Sequence, residues 1–84
     1  MIDVLYFARV REALGQSHER LDRSEDLATV ADLIDHLRAR GGVWATTLSR
    51  DETLLTAVNQ EIARADTPIR DGDEIAIFPP VTGG

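Results

Sequence analysis

Only one segment of the chain can form a long amphipathic helix, and this limits the folds open to it. Apolar side chains in residues 29–40 recur at the spacing that places them on one helical face. They are Val30, Leu33, Ile34 and Leu37. Thr29 and Asp32 predict a capping box at the start of this helix, and Gly41-Gly42 predicts its end. One helix covers only one face of a sheet, so the sequence favours a two-layer α+β fold over a doubly wound α/β fold.

The other apolar segments are short and most are typical of strands. Strands are predicted at residues 2–7, 18–21, 54–59, 61–64 and 74–78, and short helices at residues 9–14 and 43–49. Gly15 is expected to end the first of these helices. Residues 68–73 form a predicted turn-rich loop before the last strand.

Side-chain alternation in the first and last strands predicts an apolar surface on the sheet face without the helix. Successive strand residues point to opposite faces. Glu74 marks its own face as the solvated one, so Phe78 is expected on that open face, together with Leu5 and Phe7. The residues expected on the helix side are Ile2, Val4, Tyr6, Ile75 and Ile77. Exposed aromatic patches mark partner surfaces, although a short helix or loop could also cover these side chains.

Composition excludes several classes of protein. A chain of 84 residues forms one domain with a modest core. The net charge of -6 argues against binding to nucleic acid or to an anionic membrane surface, and no apolar run approaches the roughly 20 residues of a membrane span. Without cysteine the chain has no disulfide and no thiolate nucleophile. A cytoplasmic location is therefore predicted.

The polar residues indicate no catalytic or metal site. His18 and His36 have no carboxylate cluster at metal-ligand spacing, so both are expected in solvent and no metal is predicted. Arg9 and Arg11 are either a solvated helix end or contacts to a carboxylate of a partner.

The end of the chain has the most distinctive pattern. Pro79-Pro80 stops the last strand and favours extended geometry, and Gly83-Gly84 has no side chains and fits a narrow channel. The chain therefore divides into a domain at residues 1–78 and a flexible tail at residues 79–84, which reaches roughly 20 Å when extended. Such a tail is suited to carrying a terminal carboxylate into the active site of another protein, unless it is simply a frayed terminus.

A carboxylate needs activation before it can react. Adenylation by ATP would make a mixed anhydride of the Gly84 carboxylate. A sulfur nucleophile would then give a thiocarboxylate, and an amine would give an amide. Because cysteine is absent, the C-terminus is the only place where this chain could hold reactive sulfur.

Three segments resemble one known family, the small sulfur-carrier subunit of molybdopterin synthase. They are residues 4–12, residues 57–60, which read Ala-Val-Asn-Gln, and residues 71–84, which close with Phe-Pro-Pro-Val-Thr-Gly-Gly. The resemblance implies a ubiquitin-like β-grasp fold, with a mixed sheet and one main helix on one face. Gly-Gly alone is shared with thiamine sulfur carriers and with ubiquitin-like modifiers, and these two functions remain alternatives.

The resemblance also implies a mechanism, in which the chain is not an enzyme on its own and binds no permanent cofactor. A ubiquitin-activating-type enzyme adenylates Gly84 with ATP and magnesium, and sulfur from a persulfide donor replaces the adenylate. The large synthase subunit then takes up the tail and passes the sulfur to cyclic pyranopterin monophosphate. In this family the synthase is a heterotetramer with a carrier at each end.

The family pattern assigns roles to individual residues. Gly84 is the reacting terminus and Gly83 its slim neighbour. The inserted tail comprises Pro79, Pro80, Val81 and Thr82. The contacts to partners are Phe7, Ile62 and Phe78. Alternation independently places Phe7 and Phe78 on the open face, but it leaves Ile62 unplaced because the register of its strand is ambiguous.

Overall fold

The computed structural model describes residues 1–49 and 53–80. Within them lie β1 (Ile2–Tyr6), α1 (Ala8–Leu14), β2 (His18–Leu21), α2 (Val30–Arg38), α3 (Val43–Thr47), β3 (Leu55–Val58), β4 (Glu61–Ala63) and β5 (Glu74–Phe78). Each predicted helix and strand is present. Gly15 ends α1 in the left-handed conformation, with φ 73°, and its N–H donates to the Arg11 carbonyl.

The strands form one mixed sheet in the order β2-β1-β5-β3-β4. The neighbouring strands β1 and β5 are parallel, and the other neighbouring strands are antiparallel. The main helix, α2, packs on one face of this sheet and shares its core. The predicted two-layer α+β architecture is confirmed.

The core lies between the sheet and the helices. Its fully buried side chains include Ile2, Val4 and Tyr6 of β1, Leu33 and Leu37 of α2, and Ile75 and Ile77 of β5. The alternation prediction for the helix side of the sheet is therefore confirmed. Ile34, the fourth apolar residue of the α2 stripe, is only half-buried, and it packs against the edge of the core.

A capping box starts α2, as predicted. The Asp32 N–H donates to Thr29 Oγ1 at 3.3 Å, and the Thr29 N–H donates to Asp32 Oδ2 at 3.1 Å. Asp32 also accepts the Ala28 N–H at 3.1 Å, which adds a further bond at this helix start. The two side chains thereby fix where the main helix begins.

The end of α2 differs from the prediction, since the helix stops at Arg38 and not at Arg40. The Arg40 N–H donates to the Leu37 carbonyl, three residues back, which tightens the chain into a turn before Gly41. The Arg40 side chain leaves the helix and pairs with Glu19 on β2. The last two residues of the predicted helix therefore form a turn, and the second of them carries an ion pair to β2.

Four side chains form what we name the Glu19 network: Tyr6, Glu19, Arg40 and Trp44. Tyr6 donates its hydroxyl to Glu19 Oε1 at 2.5 Å, and the Arg40 guanidinium donates to both Glu19 oxygens at 2.9 and 3.0 Å. The guanidinium lies 4.3 Å from the centre of the Trp44 ring, which meets the Tyr6 ring edge-on at 5.7 Å. The network ties the edge strand β2 to the turn between α2 and α3.

Ionisation in the Glu19 network is coupled. Burial opposes the charge of Glu19, but the hydrogen bonds from Arg40 and Tyr6 hold the pKa of its carboxyl below the ordinary value. Burial and then the hydrogen bond to Glu19 raise the pKa of Tyr6, which keeps its proton and remains a donor. The hydrogen bond to Glu19 also raises the pKa of Arg40.

Candidate functional site

The sheet face opposite α2 forms a continuous apolar surface, which we name the docking face. It comprises Leu5, Phe7, Leu55, Ala57, Ile62, Ala76 and Phe78. The three helices contribute their buried apolar residues to the core on the other side. Phe7 is 44% exposed and Ile62 is 70% exposed. Phe78 is half-buried on this face and Ala57 is buried. The apolar face predicted from the sequence is therefore present, with Phe7 as its exposed aromatic side chain.

Strand register places Ile62 on the docking face. Leu5 lies opposite Ala76, Ala76 opposite Ala57, and Ala57 opposite Ile62. Residues directly opposite one another in a ladder point to the same face, so these four form one row across the sheet. Sequence alone could not show this, because a three-residue edge strand alternates equally well in either register.

Phe7 and Phe78 lie at the end of the sheet where β5 ends. Tyr6 is paired with Ile77, and extending that register by one residue brings Phe7 alongside Phe78. The Phe7 N–H donates to the Ile77 carbonyl at 3.2 Å, which continues the ladder to this point. β5 ends at Phe78, and the half-buried Pro79 follows it outside any strand. The predicted stop at the prolines is confirmed.

Ala8 is a feature of this site that the sequence analysis missed. Its φ of 53° is in the left-handed region, which costs a residue with a Cβ about 1 kcal/mol. This conformation turns the chain directly from β1 into α1, and the Phe7 carbonyl accepts the Val10 and Arg11 N–H groups at 3.1 and 3.3 Å. Phe7 is thereby fixed through its backbone while its ring stays exposed. Alanine gives no local signal for a positive φ.

Of the predicted tail, the structure describes residues 79 and 80. Pro79 and Pro80 are both half-buried and follow Phe78 in the chain, whereas residues 81–84 lie outside the described residues. The assigned roles of Val81, Thr82, Gly83 and Gly84 therefore stay predictions, as does the division at residue 78.

The polar groups form no catalytic centre in the part of the chain that the structure describes. His18 Nε2 lies 3.4 Å from Asp3 Oδ1, which also accepts from Arg20 at 3.1 Å, and all three side chains are exposed. No cluster of three potential metal-ligating side chains occurs in residues 1–49 and 53–80. Nor does any helix in those ranges have the length and apolar character needed to cross a membrane.

Comparison with known proteins identifies the family. The model of the ThiS family matches residues 4–84. The chain is 48% identical to the molybdopterin synthase sulfur carrier subunit of Escherichia coli over 84 residues, and 42% identical to that of Haemophilus influenzae over 84 residues, covering 100% of each chain. The solved structure of SAMP1 from Haloferax volcanii matches with a TM-score of 0.75 and 32% identity, over 99% of this chain and 98% of that one. The ubiquitin-like β-grasp fold is confirmed, and the chain belongs to the ThiS family.

Proposed function

We propose that this protein is the sulfur carrier of a molybdopterin synthase, a subunit that delivers sulfur and is no catalyst alone. The observation that carries the proposal is the full-length similarity to the two bacterial proteins of that name. The docking face supports it, since a carrier needs a surface for its partners next to the exit of its tail. We further propose that the protein works in the cytoplasm.

The proposed cycle begins with activation of Gly84. A ubiquitin-activating-type enzyme binds the docking face and adenylates the terminal carboxylate with ATP and magnesium. Attack by the terminal sulfur of a donor persulfide on the activated carbonyl carbon displaces AMP and forms an acyl disulfide. A second thiol then breaks the sulfur–sulfur bond, forms a disulfide with the donor and leaves a thiocarboxylate on Gly84. This chain contributes the positioning of its own C-terminus, because Pro79 and Pro80 restrict the backbone conformations of the tail.

Transfer follows when the docking face binds the large synthase subunit. The tail, Pro79 to Gly84, enters the active site of that subunit, and the thiocarboxylate sulfur passes to cyclic pyranopterin monophosphate. Two such transfers build a dithiolene. We propose a heterotetramer, with one carrier at each end of a dimer of large subunits.

One experiment tests this function directly. The protein is incubated with its activating enzyme, ATP, magnesium and a sulfur source, and its intact mass is measured. We expect one sulfur atom to replace one oxygen atom at the C-terminus. Subsequent incubation with the large subunit and cyclic pyranopterin monophosphate should return the original mass. An unchanged mass after activation would refute the proposal.

The likeness to small archaeal modifier protein 3 of Haloferax volcanii, at 34% identity over 91 residues, favours a second candidate, a protein modifier that forms amides through Gly84. The two functions differ only in the nucleophile that attacks the activated Gly84 carboxylate. A sulfur carrier reacts with sulfur, whereas a protein modifier reacts with a lysine amine. Detection of Gly84 linked to many cellular proteins, with no thiocarboxylate on the free protein, would favour the protein-modifier function. Copurification with a thiazole synthase would instead indicate a carrier of the thiamine type.

A negative charge introduced on the docking face should weaken binding to the large subunit. Replacing Ile62 by Asp should weaken binding to the large subunit about tenfold or more, because a carboxylate would be buried against apolar partner atoms. Ile62 is 70% exposed in the free protein, so unfolding free energy should change by no more than about 0.5 kcal/mol. Titration calorimetry and thermal unfolding measure the two effects.

A matched control is available on the other side of the molecule. Val43 is 45% exposed at the start of α3 and lies outside the docking face. Val43→Asp should leave binding to the large subunit unchanged. Equal weakening by Val43→Asp and Ile62→Asp would show that the docking face is not the binding surface.

A further inference from the structure

The hairpin that carries Ile62 consists of β3 and β4 and closes through a two-residue turn. Val58 and Glu61 are the last paired residues of β3 and β4, so Asn59 and Gln60 alone form the turn. Their φ angles are 52° and 70°, as a two-residue turn with two left-handed residues requires. Asparagine tolerates this conformation better than most residues.

Asn59 also bonds the turn to the start of β5 through three groups. Its N–H donates to the Glu74 carbonyl at 2.8 Å, and its Oδ1 accepts the Glu74 N–H at 3.0 Å. Its Nδ2 donates to Asp73 Oδ1 at 3.0 Å. Two of these bonds depend on the side chain, so no other residue at this position reproduces the whole set.

The strand that follows, β4, packs one side chain, Ala63, against the core and is otherwise held through its backbone. β4 is an edge strand of three residues and pairs only with β3. Beyond it, the Ala65 and Thr67 carbonyls accept the Ala31 and Val30 N–H groups at 2.9 and 3.0 Å, which ties the chain to the start of α2. Ile62 lies between this attachment and Asn59, and 70% of it is exposed. Its position thus depends on the backbone at both ends of β4.

We propose that Asn59 is a positioning residue for partner binding, an inference that rests on the proposed function. By bonding the hairpin turn to β5, it holds Ile62 in the row that crosses the docking face before any partner arrives. A partner then binds a preordered surface and does not have to order an edge hairpin during association. The bonds of the Asn59 side chain are solvent-exposed, so they contribute more to local orientation than to global stability.

The test compares two glycine variants of the same turn. Asn59→Gly keeps the left-handed backbone but removes both side-chain bonds, and we expect its Kd for the large synthase subunit to rise about threefold to tenfold. Gln60→Gly makes the same kind of change at the neighbouring residue, whose side chain forms no bond in the described structure, and should leave Kd unchanged. Calorimetry well below the unfolding temperature ensures that only folded protein is compared.

A double-mutant cycle separates positioning from a merely structural role. In an Ile62→Ala background, Asn59→Gly should have little further effect on Kd, because the side chain that it positions has been removed. In a Phe7→Ala background its effect should persist in full, since Phe7 is held by β1 and α1. An unchanged Kd for Asn59→Gly, or equal effects in both backgrounds, would overturn the inference. Failure of the wild-type protein to bind the large subunit would instead contradict the proposed function.

Discussion

Deletion of Gly84 is expected to reduce sulfur transfer by at least about a hundredfold and to leave the fold unchanged. The deletion moves the terminal carboxylate back by one residue, or about 3.5 Å. Misplacement of a reacting group by about 1 Å can already cost a hundredfold in rate. The measurement is the rate of conversion of cyclic pyranopterin monophosphate by the large subunit with the truncated carrier.

Addition of one glycine after Gly84 provides the converse test. The extended tail still ends in glycine, but its carboxylate lies one residue beyond the wild-type position. The rate of sulfur transfer should therefore fall by a similar factor. Both variants should bind the large subunit through the docking face and unfold at the wild-type temperature. If the protein without Gly84 transferred sulfur at the wild-type rate, Gly84 would not be the reacting residue.

Replacement of Glu19 by Ala is expected to lower the unfolding free energy by about 2–3 kcal/mol, which is the largest effect on stability that we predict for a single polar side chain. The substitution removes the acceptor of the Tyr6 hydroxyl and of both Arg40 bonds. Tyr6 is 1% exposed, so water cannot readily replace the lost acceptor. Chemical denaturation at neutral pH measures the change, and the melting temperature should fall by about 8 °C or more.

The same carboxylate predicts how stability depends on pH. The pKa of Glu19 is lower in the folded protein, so the unfolded chain binds this proton first as the pH falls. The stabilisation is complete above the pKa of Glu19 in the unfolded chain, near pH 4, and is lost as the pH falls through the folded pKa. Glu19→Ala should therefore differ most from the wild type at neutral pH and least in acid.

A matched acidic residue provides the control. Glu12 is exposed on α1, and Glu12→Ala should change the unfolding free energy by no more than about 0.5 kcal/mol at neutral pH. If Glu19→Ala behaved in the same way, the Glu19 network would contribute nothing to stability. Glu19→Gln, which keeps an acceptor oxygen without the charge, should give an intermediate loss.

Local sequence signals located the elements well because each depends on near neighbours. The box of Thr29 and Asp32 needs only residues within one turn, and Gly15 ends α1 through a bond to Arg11. The longest predicted helix extended two residues beyond the observed end of α2 at Arg38. The partner of the Arg40 side chain in the turn that follows is Glu19, which lies 21 residues away in the chain and cannot be identified from sequence.

The docking face was predicted in part. Alternation fixed the sides of Phe7 and Phe78, because both belong to or adjoin strands of five residues with clear apolar and polar faces. Ile62 could not be placed, since β4 has three residues and only its pairing with β3 settles the register. The left-handed Ala8 and the bonds from Asn59 to Asp73 and Glu74 had no counterpart in the predictions.

The amino-acid order alone determined the kinds of elements and the side of the sheet that is buried, since these follow from neighbouring side chains. The tertiary structure decided which strands pair, and with them the row from Leu5 to Ile62 and the Glu19 network. Pairing joins groups that are distant in the chain. Its free energy comes from surfaces that exist only once the sheet has formed.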